Sequence, residues 1–191
     1  MDNRNLAYQE ETWEELIGGR IVAMSPRPTV NHNRVAGNIY NLFSNHLRGR
    51  KCEAFPDGVD LYLSDEDQFI PDGMIVCDPE KIRPNGVHGA PDLVVEVLSP
   101  GTAKYDRGRK LEAYAAAGVP EYWIVSPGEK IIEQYFLQGD RFVLQDTYAV
   151  YPDWMLEKMK PEERAAVQTE FRCRLYDDLA IRVEDVFDRV T

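Results

Sequence analysis

Apolar positions along the chain repeat with two different periods. Between Asn31 and Leu47, the residues Val35, Ile39, Leu42, Phe43 and Leu47 recur at helical spacing and predict one helix. A second is predicted over Asp106–Ala117, with Asp106 as its cap, Leu111, Tyr114 and Ala115 as its apolar stripe, and Gly118 closing it. Short β-type runs lie at Cys52–Phe55, Val59–Leu63, Gly73–Cys77, Asp92–Ser99, Glu121–Val125 and Ile131–Leu137. The first two flank a turn at Pro56-Asp57-Gly58 and are expected to be sequential antiparallel strands. Arg141–Leu144 is expected to close a hairpin with Ile131–Leu137 across Gln138-Gly139-Asp140.

The ends of the chain are less regular. Residues 11–17 (ETWEELI) predict a short helix with Thr12 as cap. Gly18-Gly19 then turn into a strand, RIVAMS, stopped by Pro26 and Pro28. Towards the C-terminus a helical stretch is predicted from Pro161 to Gln168, after amphipathic residues near Trp154–Met159. A last short strand and helix follow in LAIRVEDVFDRV. No internal repeat, low-complexity tract or linker interrupts the chain, so residues 1–191 are expected to form a single domain. The order of elements predicts a mixed α/β (α+β) architecture. The helix between Asp92–Ser99 and Glu121–Val125 makes a βαβ crossover, which implies two neighbouring parallel strands.

One strand carries a residue that its surroundings do not explain. In PDLVVEVLSP, residues 91–100, Glu96 stands in an otherwise aliphatic, β-branched run. Alternation puts Asp92, Val94, Glu96 and Leu98 on one face and Leu93, Val95 and Val97 on the other. Asp72 opens another apolar strand in FIPDGMIVCD. Two carboxylates on neighbouring strands raise each other's pKa unless a cation lies between them, and Mg²⁺ with its oxygen ligands answers that need. Lys110 and Tyr114, four residues apart, project from one face of the crossover helix. A lysine there could orient water and neutralise charge developing at phosphorus. Each residue also has a plainer role: Asp72 and Asp92 as turn residues after proline, Lys110 as a solvated helix residue, Tyr114 as core, His32 as a cap, and Glu96 in a buried ion pair with Lys110 or Arg107.

Composition changes this picture little. The 191 residues are 43% hydrophobic and 29% charged, ordinary for a globular protein. No apolar run approaches the roughly 20 residues of a membrane span, and the acidic N-terminus (MDNRNLAYQEETWEEL) is unlike a signal peptide. Cys52, Cys77 and Cys173, odd in number and scattered, are expected to be reduced, buried thiols of a cytoplasmic protein. His32, His46 and His88 show no metal-ligand spacing. The net charge of −11 argues against wrapping nucleic acid by broad phosphate neutralisation. Its distribution leaves a locally basic groove open: Ser99–Leu111 holds Lys104, Arg107, Arg109 and Lys110 against Asp106 alone, and a second cluster lies at Arg48, Arg50 and Lys51.

The stretches GGRIVAMSP…H, FIPDGMIVCDP, GAPDLVVEVLSPGTAKYDRGRKLEAYAAAGVPEYWIV and LAIRVEDVF resemble the Uma-two family, long known as a domain of unknown function. That family belongs to the PD-(D/E)xK, restriction-endonuclease-like superfamily. The resemblance covers about residues 8–150 and the last fifteen or so. It implies a restriction-endonuclease-like mixed sheet flanked by helices and hydrolysis of phosphodiester bonds, with DNA the leading substrate. It also implies Mg²⁺, or Mn²⁺, as cofactor. Asp72 matches the motif aspartate and Glu96 the motif glutamate, whereas Leu98 stands where Glu-x-Lys has its lysine. The resemblance moves that lysine to the following helix, at Lys110. A carbonyl near Val97 is then a third metal ligand, and Lys104, Arg107 and Arg109 contact phosphates. Asp92 is a further acidic neighbour, and His32 and Tyr114 are secondary candidates. Relatives often carry an acid where this chain has Arg20, a place that Glu14 or Glu15 would fill. Residues 152–172 resemble an inserted helical segment, and the superfamily suggests a homodimer. The competing expectation is a degenerate member of the fold that binds nucleic acid or a protein without cutting. Leu98 and the acidic charge favour it; intact Asp72, Glu96 and Lys110 favour the enzyme.

Overall fold

The computed structural model describes residues 14–23 and 28–191. Its first element departs from the predicted helix. Glu14–Ile17 (β1) is a strand, paired antiparallel with Arg20–Ala23 (β2). The reason lies in the turn between them: Gly18 and Gly19 both have positive φ, 57° and 71°, as a type I′ two-residue hairpin requires. Glu15 and Ile17 are then buried and Glu14 exposed, a period of two instead of 3.6. Residues 11–13, with Thr12, and residues 24–25 at the end of the expected RIVAMS strand lie outside the described residues.

Helix α1 (Val30–Leu47) begins at Thr29, whose hydroxyl accepts the His32 N–H at 3.2 Å. Val35, Ile39, Phe43 and Leu47 form its buried face, as their spacing predicts. Strands β3 (Glu53–Pro56), β4 (Leu61–Tyr62), β5 (Gln68–Phe69) and β6 (Gly73–Val76) follow. Then come β7 (Ile82–Arg83), β8 (Gly86–His88) and β9 (Leu93–Val97). Contrary to expectation, β3 and β4 do not pair. β3 lies antiparallel to β6, with Glu53 opposite Val76, while β4 joins β5 and β8 in another sheet. Pro56-Asp57-Gly58 therefore redirects the chain between sheets and closes no hairpin.

After β9 a single helical turn, α2 (Ala103–Asp106), precedes the crossover helix α3 (Arg109–Ala117). The predicted helix is thus broken at Arg107-Gly108, and Asp106 is not a cap but a buried residue of α2. Gly118, in the left-handed conformation, closes α3 as expected. β10 (Glu121–Ser126) runs parallel to β9, and β11 (Ile131–Gln138) and β12 (Arg141–Ala149) form the predicted hairpin, longer than foreseen. The chain ends in α4 (Asp153–Leu156), α5 (Pro161–Ala165), β13 (Glu170–Arg172), β14 (Ala180–Arg182) and α6 (Val183–Val186).

The described residues form two six-stranded sheets, β12-β11-β10-β9-β6-β3 and β2-β1-β5-β4-β8-β7, and a two-stranded ribbon of β13 and β14. The first is the mixed central sheet. One of its faces (Ile75, Val95, Val97, Trp123) packs against α1 and the C-terminal segment. The other (Met74, Val94, Tyr122, Ile124) packs against α3 and the second sheet. No helix among the described residues is long and apolar enough to cross a membrane.

The cysteine expectation is corrected. Cys52 and Cys77 are joined in a disulfide, because the β3–β6 register brings them opposite each other one step beyond the Glu53–Val76 pair. Cys173 alone is free, and it is buried.

Candidate active site

The site starts from the ladder between β6 and β9. Gly73 lies opposite Val95 and Met74 opposite Val94, so the next step of this antiparallel register sets Asp72 across from Glu96. Directly opposed residues have Cβ atoms about 4.5–5.5 Å apart. Glu96, fully enclosed in a strand that is buried at every position, points to the side covered by α3.

Helix α3 delivers Lys110 to that carboxylate. Its Nζ lies 3.1 Å from Glu96 Oε1, 2.8 Å from Glu15 Oε1 and 3.6 Å from Asp106 Oδ1. One turn further along, the Tyr114 hydroxyl donates to Glu96 Oε1 at 2.7 Å. Glu15 is fixed by the Ile70 N–H, which donates to its Oε1 at 3.0 Å. The Phe69 ring lies 5.7 Å from the ammonium and closes the cluster from the second sheet. Lys110 and Asp106 are each 1% exposed, Glu96 3% and Glu15 4%, so three carboxylates share one ammonium out of contact with water.

This excess of buried negative charge governs the titration of the site. Burial pushes the Glu96 carboxyl well above its ordinary range; Lys110 opposes the rise, and Asp106, Asp72 and Glu15 add to it. Burial likewise raises Asp106, again against Lys110. Burial works to lower Lys110, but Glu96, Glu15 and Asp106 outweigh it and keep the side chain an ammonium. The Tyr114 hydroxyl is raised by burial and by Glu96, so it stays a proton donor.

Asp72 is held separately. The Val97 N–H donates to its Oδ2 at 2.6 Å, and His32 Nε2, from the first turn of α1, lies 3.2 Å from its Oδ1. Burial lowers the His32 pKa, but the hydrogen bond to Asp72 together with the charges of Asp72 and Asp57 outweighs it, and the net shift is upward. Asp57, exposed at the rim, is raised by the loss of water on its packed side and by Asp72.

The structure thus brings together Glu96, Lys110, Tyr114 and Glu15, and sets Asp72, Val97 and His32 beside them. Arg20 is exposed. Asp92 is not part of this group. It accepts the Cys77 N–H at 2.7 Å at the other end of the β6–β9 ladder, about 13 Å along the strand from Glu96. Of the basic segment, Arg107 is paired with Glu133 at 2.5 Å, while Lys104 and Arg109 are exposed and make no ion pair among the described residues. Sequence reasoning missed Asp106 and Asp57, which it took for a cap and a turn. Asp106, Lys110 and Tyr114 recur at four-residue intervals, and that spacing was a readable signal.

Among the described residues, no three His, Cys, Asp or Glu side chains are grouped to hold a metal by themselves. The facing pair Asp72 and Glu96 offers hard oxygen donors. That suits a divalent ion which takes one or two carboxylates and fills its shell with water and phosphate.

Solved structures place this architecture. A crystal structure described as "a putative nuclease belonging to DUF820", from Anabaena variabilis, superposes with a TM-score of 0.64 at 18% identity, over 93% of this chain and 90% of the other. The chain therefore shares that protein's fold. A model of the Uma2 family, described as "Putative restriction endonuclease", matches residues 4–167, and the chain belongs to that family. Two uncharacterized proteins of Synechocystis sp. are similar to it. One, slr1290, is 29% identical over 86% of this chain and 82% of its own length. The other, sll1609, is 29% identical over 71% of this chain and 80% of its own length.

Proposed function

We propose that the chain is a divalent-metal-dependent endonuclease that hydrolyses phosphodiester bonds of nucleic acid, with DNA as substrate and Mg²⁺ or Mn²⁺ as cofactor. The observation that carries this reading is the buried Lys110 ammonium bonded to Glu96, with Asp72 next to Glu96 across the ladder. A strand interior tolerates a carboxylate and an amine at this depth only when they compensate each other. This cluster holds more acid than its one base balances.

Asp72 and Glu96, with the Val97 carbonyl, would hold the ion. When bound, the ion supplies a Lewis acid for the phosphate and a water of lowered pKa. Lys110, kept protonated by its three carboxylates, orients the attacking water and neutralises charge that builds at phosphorus. Tyr114 fixes the orientation of Glu96. Lys104 and Arg109 meet backbone phosphates, a contact that positions the duplex and carries no sequence information. In this reading the enzyme acts as a homodimer.

The test is a Mg²⁺ and Mn²⁺ titration of the purified chain with DNA and RNA substrates, comparing wild type with Glu96→Gln. The expected outcome is metal-dependent cleavage that falls by about 10²-fold or more in the variant, the scale of losing a charged group at the reacting centre. Equal rates in the two proteins would reject the assignment. The closure of the cluster favours a second reading, a module that binds without cutting, since Glu96 is 3% and Lys110 1% exposed. Retention of labelled DNA with no cleavage in either metal would select it.

A further inference from the structure

Both oxygens of Asp72 are already engaged. Oδ2 takes the main-chain N–H of Val97, which the central strand holds in place, and Oδ1 takes His32 Nε2 at 3.2 Å. Each oxygen keeps a second lone pair, and a cation that takes the one on Oδ1 meets the imidazole. The His32 ring, in the first turn of α1, is held by burial at 8% exposed. Two donors in adjacent positions of an octahedral shell stand about 3 Å apart when each bond is about 2.1 Å. The observed Nε2–Oδ1 separation matches that spacing. The other ring nitrogen, Nδ1, is buried and makes no hydrogen bond, so Asp72 is the ring's only polar side-chain partner among the described residues.

We infer that His32 is a ligand, through Nε2, of the ion that Asp72 holds, and that the centre is a nitrogen–oxygen site for Mn²⁺ or a heavier divalent transition ion rather than for Mg²⁺. The inference rests on the reading of Asp72 as a metal ligand, and it changes the ion that reading favours. Carboxylates, carbonyls and water accommodate Mg²⁺ and Mn²⁺ alike, whereas an imidazole nitrogen selects transition ions. His32 and Asp72 supply two donors already in place beside Glu96 and the Val97 carbonyl; water and substrate phosphate would complete the shell.

The experiment uses the full chain with Mn²⁺ and Mg²⁺ as probes. Affinities are measured by calorimetry, and the Mn²⁺-loaded protein is examined by pulsed electron paramagnetic resonance for ¹⁴N coupling. Wild type is expected to show nitrogen coupling and to bind Mn²⁺ at least about tenfold more tightly than Mg²⁺. In His32→Ala the coupling should vanish and Mn²⁺ affinity fall by about tenfold or more, with Mg²⁺ affinity nearly unchanged. His32→Gln, which keeps a hydrogen-bond donor for Asp72 but has no ring nitrogen, should behave like His32→Ala and covers the case in which alanine fails to fold. Equal losses for both ions, or wild type without nitrogen coupling, would reduce His32 to a hydrogen-bond partner of Asp72 and overturn the inference while leaving the nuclease reading intact. Binding of neither ion would overturn both. Nitrogen coupling in a protein that cuts no nucleic acid would uphold the metal site and reject the nuclease.

Discussion

Lys110 is the residue on which the interior of the site depends. Without its ammonium, Glu15, Glu96 and Asp106 would share a buried space with no cation. Removing one partner from such a group costs about 3–5 kcal/mol, because the remaining charges stay uncompensated. Lys110→Met should therefore lose about that much unfolding free energy in urea at pH 7, and the loss should shrink at pH 5 as the carboxyls regain protons. An undiminished loss at pH 5 would mean that packing, not charge, is responsible. Glu96 behaves in the opposite sense. Its carboxyl is raised in the folded protein above the unfolded value, so its favourable contribution is present at low pH and is lost as pH rises through the raised value. Glutamine does not titrate. Glu96→Gln is thus expected to melt at or above the wild-type temperature at pH 8, and to lose that advantage near pH 4. A Tm deficit that is larger at pH 8 than at pH 4 would contradict this account.

At the scale of elements, the edge of the central sheet is fastened where it would otherwise fray. β3 has a single neighbour, β6, and the Cys52–Cys77 disulfide closes the 25-residue connection between them. Closing a loop of that length removes chain entropy from the unfolded state worth about 3 kcal/mol. Cys77→Ser should lose a stability of that order in urea, with amide exchange quickening first in β3. Unchanged exchange in β3 would show that the ladder alone holds the strand. Neither this clamp nor the β3–β6 pairing was legible from the sequence, since Cys52 and Cys77 come together through a register that local patterning does not carry. The helices α1 and α3 were legible because each has one face against a core and shows its period, and the strands β9 and β10 because, buried on both faces, they read as short aliphatic runs bounded by turn residues. The segment ETWEELI misled for the same physical reason. Its apolar spacing fits a helix over one turn, yet the Gly18-Gly19 turn and the pairing with β2 impose a period of two. Glu96 stood out in the sequence because an acid in an aliphatic strand needs a partner. Asp106 did not, because an aspartate before a helix is usually a cap.

The whole molecule carries a net charge of −11, which repels a polyanion at long range. Approach of a duplex to the site must then depend on few local cations. Arg107 is committed to Glu133, whose other oxygen accepts the Tyr135 hydroxyl at 2.7 Å, which leaves the exposed Lys104 and Arg109 for the phosphates. Each phosphate neutralised adds roughly −0.9 to the slope of log K against log salt for duplex DNA. A protein with so few contacts should give a shallow slope. Anisotropy titrations of labelled duplex with Glu96→Gln, over a range of salt, should show the slope falling by roughly 2 when Lys104→Ala and Arg109→Ala are combined. Arg107→Ala should leave it nearly unchanged, because the guanidinium already has its carboxylate. If Arg107→Ala lowers the slope as much as either of the others, the Glu133 pair opens on binding and all three cations face the nucleic acid.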